Sequence, residues 1–306
     1  MSGAKFLMAG RVFGATRMAG RPDGHCRGTE TGLAGKLIEQ PRVSAMQDIP
    51  AARDRDLSDA HTARQSLSGR KAIVTGGTTG IGRAIAVLLA SEGVDVFVCG
   101  RDRQHLADSL ERIREVGPGG GISLDLGDDG GVDQFMRAAR DHFGGGFDIA
   151  VINAAIPAQG VADMTPGALR YAIAVDFTAY LTTAHAAADT MKDFGDIIFI
   201  GSMSAHGLGA GSSVYAGIKA GIAGFAEALR KELGGKGIKV GNVEPGKTGA
   251  DFQYGSYSAE EQAEQINKEA MLRAEDIAVA VHYMLTQPRR AIVQQVTVAP
   301  RAREGE

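Results

Sequence analysis

The sequence offers little to a partner that reads bulk charge, because 33 basic and 36 acidic side chains leave a formal charge of −3. Without an overall cationic field, neither nucleic acid nor an acidic lipid surface is attracted to it. It also lacks a long hydrophobic run. No stretch approaches the roughly 18 apolar residues of a membrane-spanning helix, and no cleavable secretory segment is recognisable. A soluble, cytoplasmic protein is expected. Cysteine is scarce as well: Cys26 stands in a glycine-rich amino-terminal stretch and Cys99 in a predicted buried strand. Two residues so far apart in sequence argue against a structural disulfide, and no cluster suggests zinc. Cys99 reads as a small core hydrophobe rather than a reactive thiol.

What is present fits one globular domain with an appendage, at 306 residues, 44% hydrophobic and 23% charged. The excess lies in glycine, with 43 residues. Residues 1–69 carry Gly, Arg, Met and small polar residues with no apolar period, so little ordered structure is expected before Leu67. Lys5, Arg11, Arg17 and Arg21 occur there without an acid in the first 21 residues, as in an organelle import segment. An upstream start codon, with Met46 as natural initiator, is the favoured alternative because glycine spoils the amphipathic helix that import signals use.

From Gly69 short β-branched runs alternate with longer Ala/Leu-rich runs, the pattern of βαβ units. Strands are expected at 71–75, 94–99, 121–126, 148–153, 196–201, 238–243 and 291–298. Helices are expected to begin near Gly80, Arg103, Gly131, Pro166, Ser213 and Ala274. Residues 70–306 then form one doubly wound α/β domain around a seven-stranded parallel sheet. Its ligand belongs outside the carboxyl ends of the strands, where strand order reverses.

The first strand runs directly into Gly76-Gly-Thr78-Thr79-Gly80-Ile81-Gly82 and then a helix. Gly76, Gly80 and Gly82 allow close approach of backbone to a diphosphate, whose charge the free amides of the helix start would hold. The spacing is GxxxGxG, and its place in the first βαβ unit is what raises it above a packing turn. An acid at the end of the second strand would accept hydrogen bonds from an adenosine ribose. Here Gly100 holds that place and Arg101 follows, a fork suited to a 2′-phosphate. NADP(H) is therefore expected over NAD(H), although Asp102 would offer an acid if the strand ran two residues further.

Tyr215-Ala-Gly-Ile-Lys219 places a phenol and an ammonium four apart on one helix face, with Ser202 thirteen residues before the tyrosine. A YxxxK pair alone arises by chance and fits a plain surface helix; its coincidence with Ser202 and the glycine loop gives it weight.

Together these motifs resemble the short-chain dehydrogenase/reductase family over residues 70 to 299. The resemblance extends through Asp125-Leu126, Ile152-Asn153-Ala154-Ala155 and Pro245-Gly246. It implies a Rossmann-type domain in which Asp125 and Leu126 border the adenine and Asn153, Ala154 and Ala155 line the cofactor. Pro245, Gly246 and Thr248 would hold the nicotinamide carboxamide. Tyr215 would be the general acid/base, Lys219 would bind the ribose and Ser202 would steady the developing alkoxide. Bringing a phenol from about 10 to about 7 needs roughly 4 kcal/mol. An ammonium about 5 Å away supplies roughly 3 kcal/mol at an effective dielectric of 20. Lys219 is thus expected to do most of the lowering, with the positive charge of an oxidised nicotinamide adding the remainder.

Two stretches depart from the family pattern. Asp176 stands where an asparagine is usual; its carboxylate would oppose the tyrosine shift, so it is expected to turn away, bond locally or hold a proton. Ile152 and Ala155 replace a second asparagine and a glycine, at modest expected cost. The substrate wall is expected from Ile156, Pro157, Met203 and Phe252 with Ser204, His206 and Tyr257, within loops that include 247–271. His206 reads as a loop histidine with a solvent contact. The carboxy-terminal strand and Val243-Glu-Pro-Gly246 look similar to the NADP-dependent 3-hydroxy acid dehydrogenase branch, which implies a compact polar substrate. The family resemblance also implies a homodimer or homotetramer. A nucleotide-binding regulator with vestigial chemistry, or an epimerase or dehydratase on this scaffold, are the rival readings.

Overall fold

The computed structural model describes residues 64–191, 194–250 and 256–302. The expectations for the amino-terminal stretch through residue 63, including Cys26 and Met46, and for Phe252, fall outside them. Strands are β1 (Lys71–Thr75), β2 (Asp95–Gly100), β3 (Gly119–Ser123), β4 (Ile149–Ile152), β5 (Gly195–Ile200), β6 (Ile238–Pro245) and β7 (Gln295–Val298). All pair in parallel in the order β3-β2-β1-β4-β5-β6-β7. The order reverses between β1 and β4, which opens a crevice at their carboxyl ends.

Helices are α1 (Gly80–Ser91), α2 (Arg103–Arg114), α3 (Gly131–Phe143), α4 (Pro166–Ile173), α5 (Ala179–Met191), α6 (Ser213–Leu233), α7 (Ala259–Asn267) and α8 (Ala274–Leu285). Strand residues alternate between two cores because side chains point to opposite faces at a period of two. Ile73, Phe97 and Ile197 join Phe135 of α3, Tyr180 of α5 and Ile222 of α6 on one face. Val74, Val96 and Ile198 join Leu89 of α1, Ile113 of α2 and Val281 of α8 on the other. Leu67 is buried in this second core, and the Gln65 N–H bonds the Thr286 carbonyl, so the chain is already docked ahead of β1.

Several boundaries differ from those read in the sequence. β3 ends at Ser123, which leaves Asp125 and Leu126 in a loop rather than on a strand. β7 starts only at Gln295, and β6 runs on through Pro245. The predicted helix from Pro166 is broken by a π-turn over Ala174–Thr178 that carries Asp176. α7 was not expected: Ser258 caps Glu261 through its side chain while Glu261 returns to the Ser258 amide, a capping box inside a segment read as loop.

At the edge of the sheet away from the crevice, buried Asp196 is paired with Arg70 at 2.7 Å, Arg289 at 3.0 Å and Lys239 at 3.4 Å. Among the described residues no helix is long and apolar enough to cross a membrane, and no three metal-ligating side chains converge.

Candidate active site

The crevice at the reversal of strand order is a cleft of about 890 Å3. Its floor is the β1–α1 turn, where Gly76 and Gly80 hold φ of 63° and 49°. Gly76, Thr78, Thr79, Gly80 and Ile81 line the cleft, whereas Gly82 lies behind them. A side chain at Gly82 would place its Cβ 2.1 Å from the Gly76 carbonyl oxygen, so this residue lets the helix press against its own turn. Thr79 precedes α1 without a side-chain cap, and the first turn carries no acid. Asp102, Thr165 and Ser258 do cap α2, α4 and α7. The amino end of α1 is thus left to a ligand, and its partial positive charge suits phosphate.

Asn153 binds this turn to the neighbouring strand end. Its Nδ2 donates to the Thr75 carbonyl at 3.0 Å and the Gly76 carbonyl at 3.2 Å. Its N–H and that of Ala154 donate to the Thr75 hydroxyl at 2.8 and 3.1 Å. Ile152 is buried and completes β4, so tying the two loops falls to Asn153 alone of that pair. Asn153, Ala154 and Ala155 line the cleft, as do Pro245, Gly246 and Thr248 across from them.

The end beyond β2 and β3 is bordered by Arg101, Asp125 and Leu126. Gly100 ends β2, and a Cβ there would meet the Thr78 hydroxyl at 2.3 Å. The space an acidic side chain would need is occupied by Thr78. Asp102 is committed elsewhere: its carboxylate accepts the His105 N–H at 2.8 Å as the cap of α2, which holds its pKa below the ordinary value. Cys99 is buried and its thiol is pushed up to about 12, as a core hydrophobe requires.

At the opposite end stand Ser202, Tyr215 and Lys219, all lining the same cleft. Ser202 follows β5 and caps the short turn Met203–Ala205, accepting the Ser204 N–H at 3.1 Å. Tyr215 lies in the first turn of α6 and hydrogen-bonds Ser202. Lys219 follows one turn later and is buried, with Nζ 5.6 Å from the centre of the Tyr215 ring.

The electrostatics correct one expectation. Burial pushes Tyr215 up to about 12; Ser202 pulls it down and Asp176 adds to the rise. Lys219 does not bring the phenol toward neutrality in the protein alone. Its ammonium is directed to the Ile200 carbonyl at 3.0 Å and the Tyr180 hydroxyl at 3.3 Å. Burial also brings Lys219 itself down to about 8, against the opposing pull of Asp176.

Asp176 is fully buried behind the cleft rather than in its lining. Oδ1 accepts the Ile156 N–H at 2.8 Å, the local bond that was one of the three expected arrangements. Oδ2 has no partner among the described residues. Burial raises this carboxyl to about 6, and the Ile156 amide, Lys219 and Arg101 hold it from rising further.

Ile156, Met203 and Ser204 border the cleft beside Ser202, while Pro157, His206 and Tyr257 do not. His206 is directed instead to buried Glu244 at 3.1 Å, beside a separate cavity of about 390 Å3. Tyr257 lies under Lys247, whose Nζ is 4.1 Å from the ring centre. Lys247 does line the cleft, a position the sequence reading left inside a broader loop.

A family model described as short chain dehydrogenase matches residues 70–261. An uncharacterized oxidoreductase of Staphylococcus aureus is 32% identical over 238 residues, covering 76% of this chain and 98% of its own. A short-chain dehydrogenase from Burkholderia cenocepacia, solved in complex with NADP, superposes with a TM-score of 0.68 at 30% identity, covering 77% of this chain and 98% of its own. A blue fluorescent protein from a metagenomic library, in complex with NADPH, superposes with a TM-score of 0.68 at 27% identity, again over 77% and 98%.

Proposed function

The chain belongs to the short-chain dehydrogenase family, and from that premise we propose an NADP-dependent oxidoreductase that interconverts a carbonyl and a secondary alcohol on a small substrate. The observation that carries this reading is the gathering of Ser202, Tyr215 and Lys219 in the cleft that also receives the uncapped end of α1. When bound, the dinucleotide supplies a hydride and, in its oxidised form, a positive ring charge.

The residues present fit that group. Gly76, Thr78, Thr79, Gly80 and Ile81 would surround the diphosphate, with Gly82 keeping α1 close. Asp125 and Leu126 would border the adenine, Asn153 to Ala155 the central span, and Pro245, Gly246 and Thr248 the carboxamide. Arg101, with Gly100 and Thr78 closing the space for an acid, supports a 2′-phosphate. The NADP and NADPH held by two structural neighbours agree with that preference.

Tyr215 gives its proton to the carbonyl oxygen in reduction and recovers it in oxidation. A phenol at about 12 is fully protonated at neutral pH, which suits the reducing direction. Ser202 donates a hydrogen bond to the oxygen on which charge develops. Lys219 would hold ribose hydroxyls and keep positive charge beneath the phenol. Asp176 takes no proton from substrate in this scheme and acts through the Ile156 amide. Ile156, Met203 and Ser204 leave room for a compact substrate with one polar end.

Association into a homodimer or homotetramer and a cytoplasmic location complete the reading. A nucleotide-binding regulator with weak chemistry is its rival, favoured by the elevated Tyr215 and by Asp176. A panel of aldehydes, ketones and 3-hydroxy acids, followed by NADPH absorbance with NADH in parallel, separates them. Turnover on none of these, with NADPH bound tightly, would favour the regulator.

A further inference from the structure

One contact at the adenosine end of the cleft is explained neither by the sheet nor by the chemistry at Tyr215. Tyr171, on α4 and itself outside the lining of the cleft, donates its phenol hydrogen to Asp125 Oδ2 at 2.5 Å. The Tyr171 hydroxyl oxygen in turn accepts a hydrogen bond from Arg101 Nη1 at 2.7 Å. The phenol oxygen therefore stands between a guanidinium and a carboxylate that both border the cleft. Asp125 is otherwise held by the Gly127 N–H, which donates to Oδ1 at 2.8 Å. Among the described residues Arg101 spends one guanidinium donor, on Tyr171, and the rest of its fork stays available.

We propose that Tyr171 is a specificity-determining positioning residue: its phenol keeps Arg101 from collapsing onto Asp125 and so preserves the guanidinium for the 2′-phosphate of NADP. The inference rests on the NADP reading above and adds to it the device that maintains the charge.

The physical reason is competition for one cation. Arg and carboxylate within reach form paired, charge-assisted hydrogen bonds, and an arginine so paired has less to offer another anion. Separation by a neutral hydroxyl that bonds both partners satisfies each without neutralising either. The phenol has to remain protonated for this, and burial together with the Asp125 bond raises its pKa, against the opposing effect of Arg101. Phenylalanine at this position would keep the ring and remove the spacer. A direct Arg101–Asp125 pair would then form at the cost of the phosphate contact.

The test is equilibrium binding of NADPH and of NADH to the full chain, read by fluorescence or calorimetry and independent of turnover. In Tyr171→Phe the affinity for NADPH should fall roughly tenfold, the effect of one charged hydrogen bond, with NADH altered less than about twofold. Adding Asp125→Asn to that variant removes the competing carboxylate, and the preference for NADPH should return. Arg101→Gln sets the floor. If Tyr171→Phe leaves both affinities unchanged, or lowers both alike, while Arg101→Gln abolishes the preference, the spacer is refuted and the NADP reading stands. If the unaltered protein binds both dinucleotides equally, the NADP reading fails and the spacer falls with it. Melting temperatures within about 2 °C of the parent protein confirm that each variant is folded.

Discussion

Lys219 lies beneath Tyr215, its Nζ 5.6 Å from the ring centre, yet the hydrogen bonds of that ammonium run to the Ile200 carbonyl and Tyr180. The phenol is therefore supported by charge at a distance while its hydroxyl is met by Ser202. In the proposed mechanism proton transfer and positive charge thus belong to separate side chains.

Replacing Tyr215 by Phe removes the proton and leaves the packing of α6. Turnover should fall by roughly 100- to 10,000-fold, the usual contribution of a positioned acid, while the affinity for NADPH changes little. Steady-state rates beside a binding titration decide it, and undiminished turnover would reject the assignment.

The pH profile follows from Lys219. Burial depresses it to about 8, so the ammonium is present below that pH and is lost as pH rises through it. Carbonyl reduction, measured as kcat/KM, should be level from about pH 6 to 7 and decline above about 8. In Lys219→Arg the side chain stays charged, so whatever rate remains should lack that decline below pH 10.

Asp176 gives a stability signature that also declines as pH rises, at a lower pH. Its folded pKa of about 6 exceeds the ordinary 3.8, so the native state holds a proton that the unfolded state releases between these values. Stability is retained below about pH 4 and lost as pH rises through about 6. At about 1.36 kcal/mol per tenfold change in proton affinity the loss is on the order of 2–3 kcal/mol. Asp176→Asn should therefore melt with the parent near pH 4 and above it at pH 7, with turnover unchanged or raised. A collapse in turnover would show that the carboxylate is used directly.

Cofactor preference should resist the simplest reversal. Gly100→Asp brings a Cβ against the Thr78 hydroxyl at 2.3 Å, so it should weaken both dinucleotides rather than favour NADH. Paired with Thr78→Gly, which clears the space, the aspartate should reach a ribose hydroxyl and raise the NADH to NADPH affinity ratio. Titrating the single and double variants side by side would expose an error in this reading if the single change already reversed the preference.

The sheet, its order of elements and the glycine turn were legible because each rests on local pattern: buried β-branched runs, helical period and a strand that runs straight into glycine. Ser202, Tyr215 and Lys219 were legible through spacing. What escaped was set by tertiary context. The direction of the Tyr215 shift depends on how deeply the hydroxyl is covered and on where Lys219 sends its donors, and neither is written in a YxxxK spacing. Tyr171 carries no motif at all; only the fold brings it between Arg101 and Asp125. The π-turn at Asp176 likewise interrupts a segment whose composition reads as continuous helix. α7, by contrast, left a local signal in Ser258-x-x-Glu261, the spacing of a capping box.

The bracket formed by Asn153 has a consequence for how such a molecule could change over generations. Because one amide fastens the β4 end to the β1 turn, the wall proposed to meet a substrate and the ledge proposed to bear the dinucleotide are tied together. Drift on the substrate side beyond Ala155 would be transmitted to the ledge as a change in grip. Selection for a new substrate would then proceed more freely on the far bank, around Met203 and Lys247, which border the cleft apart from the Asn153 bracket.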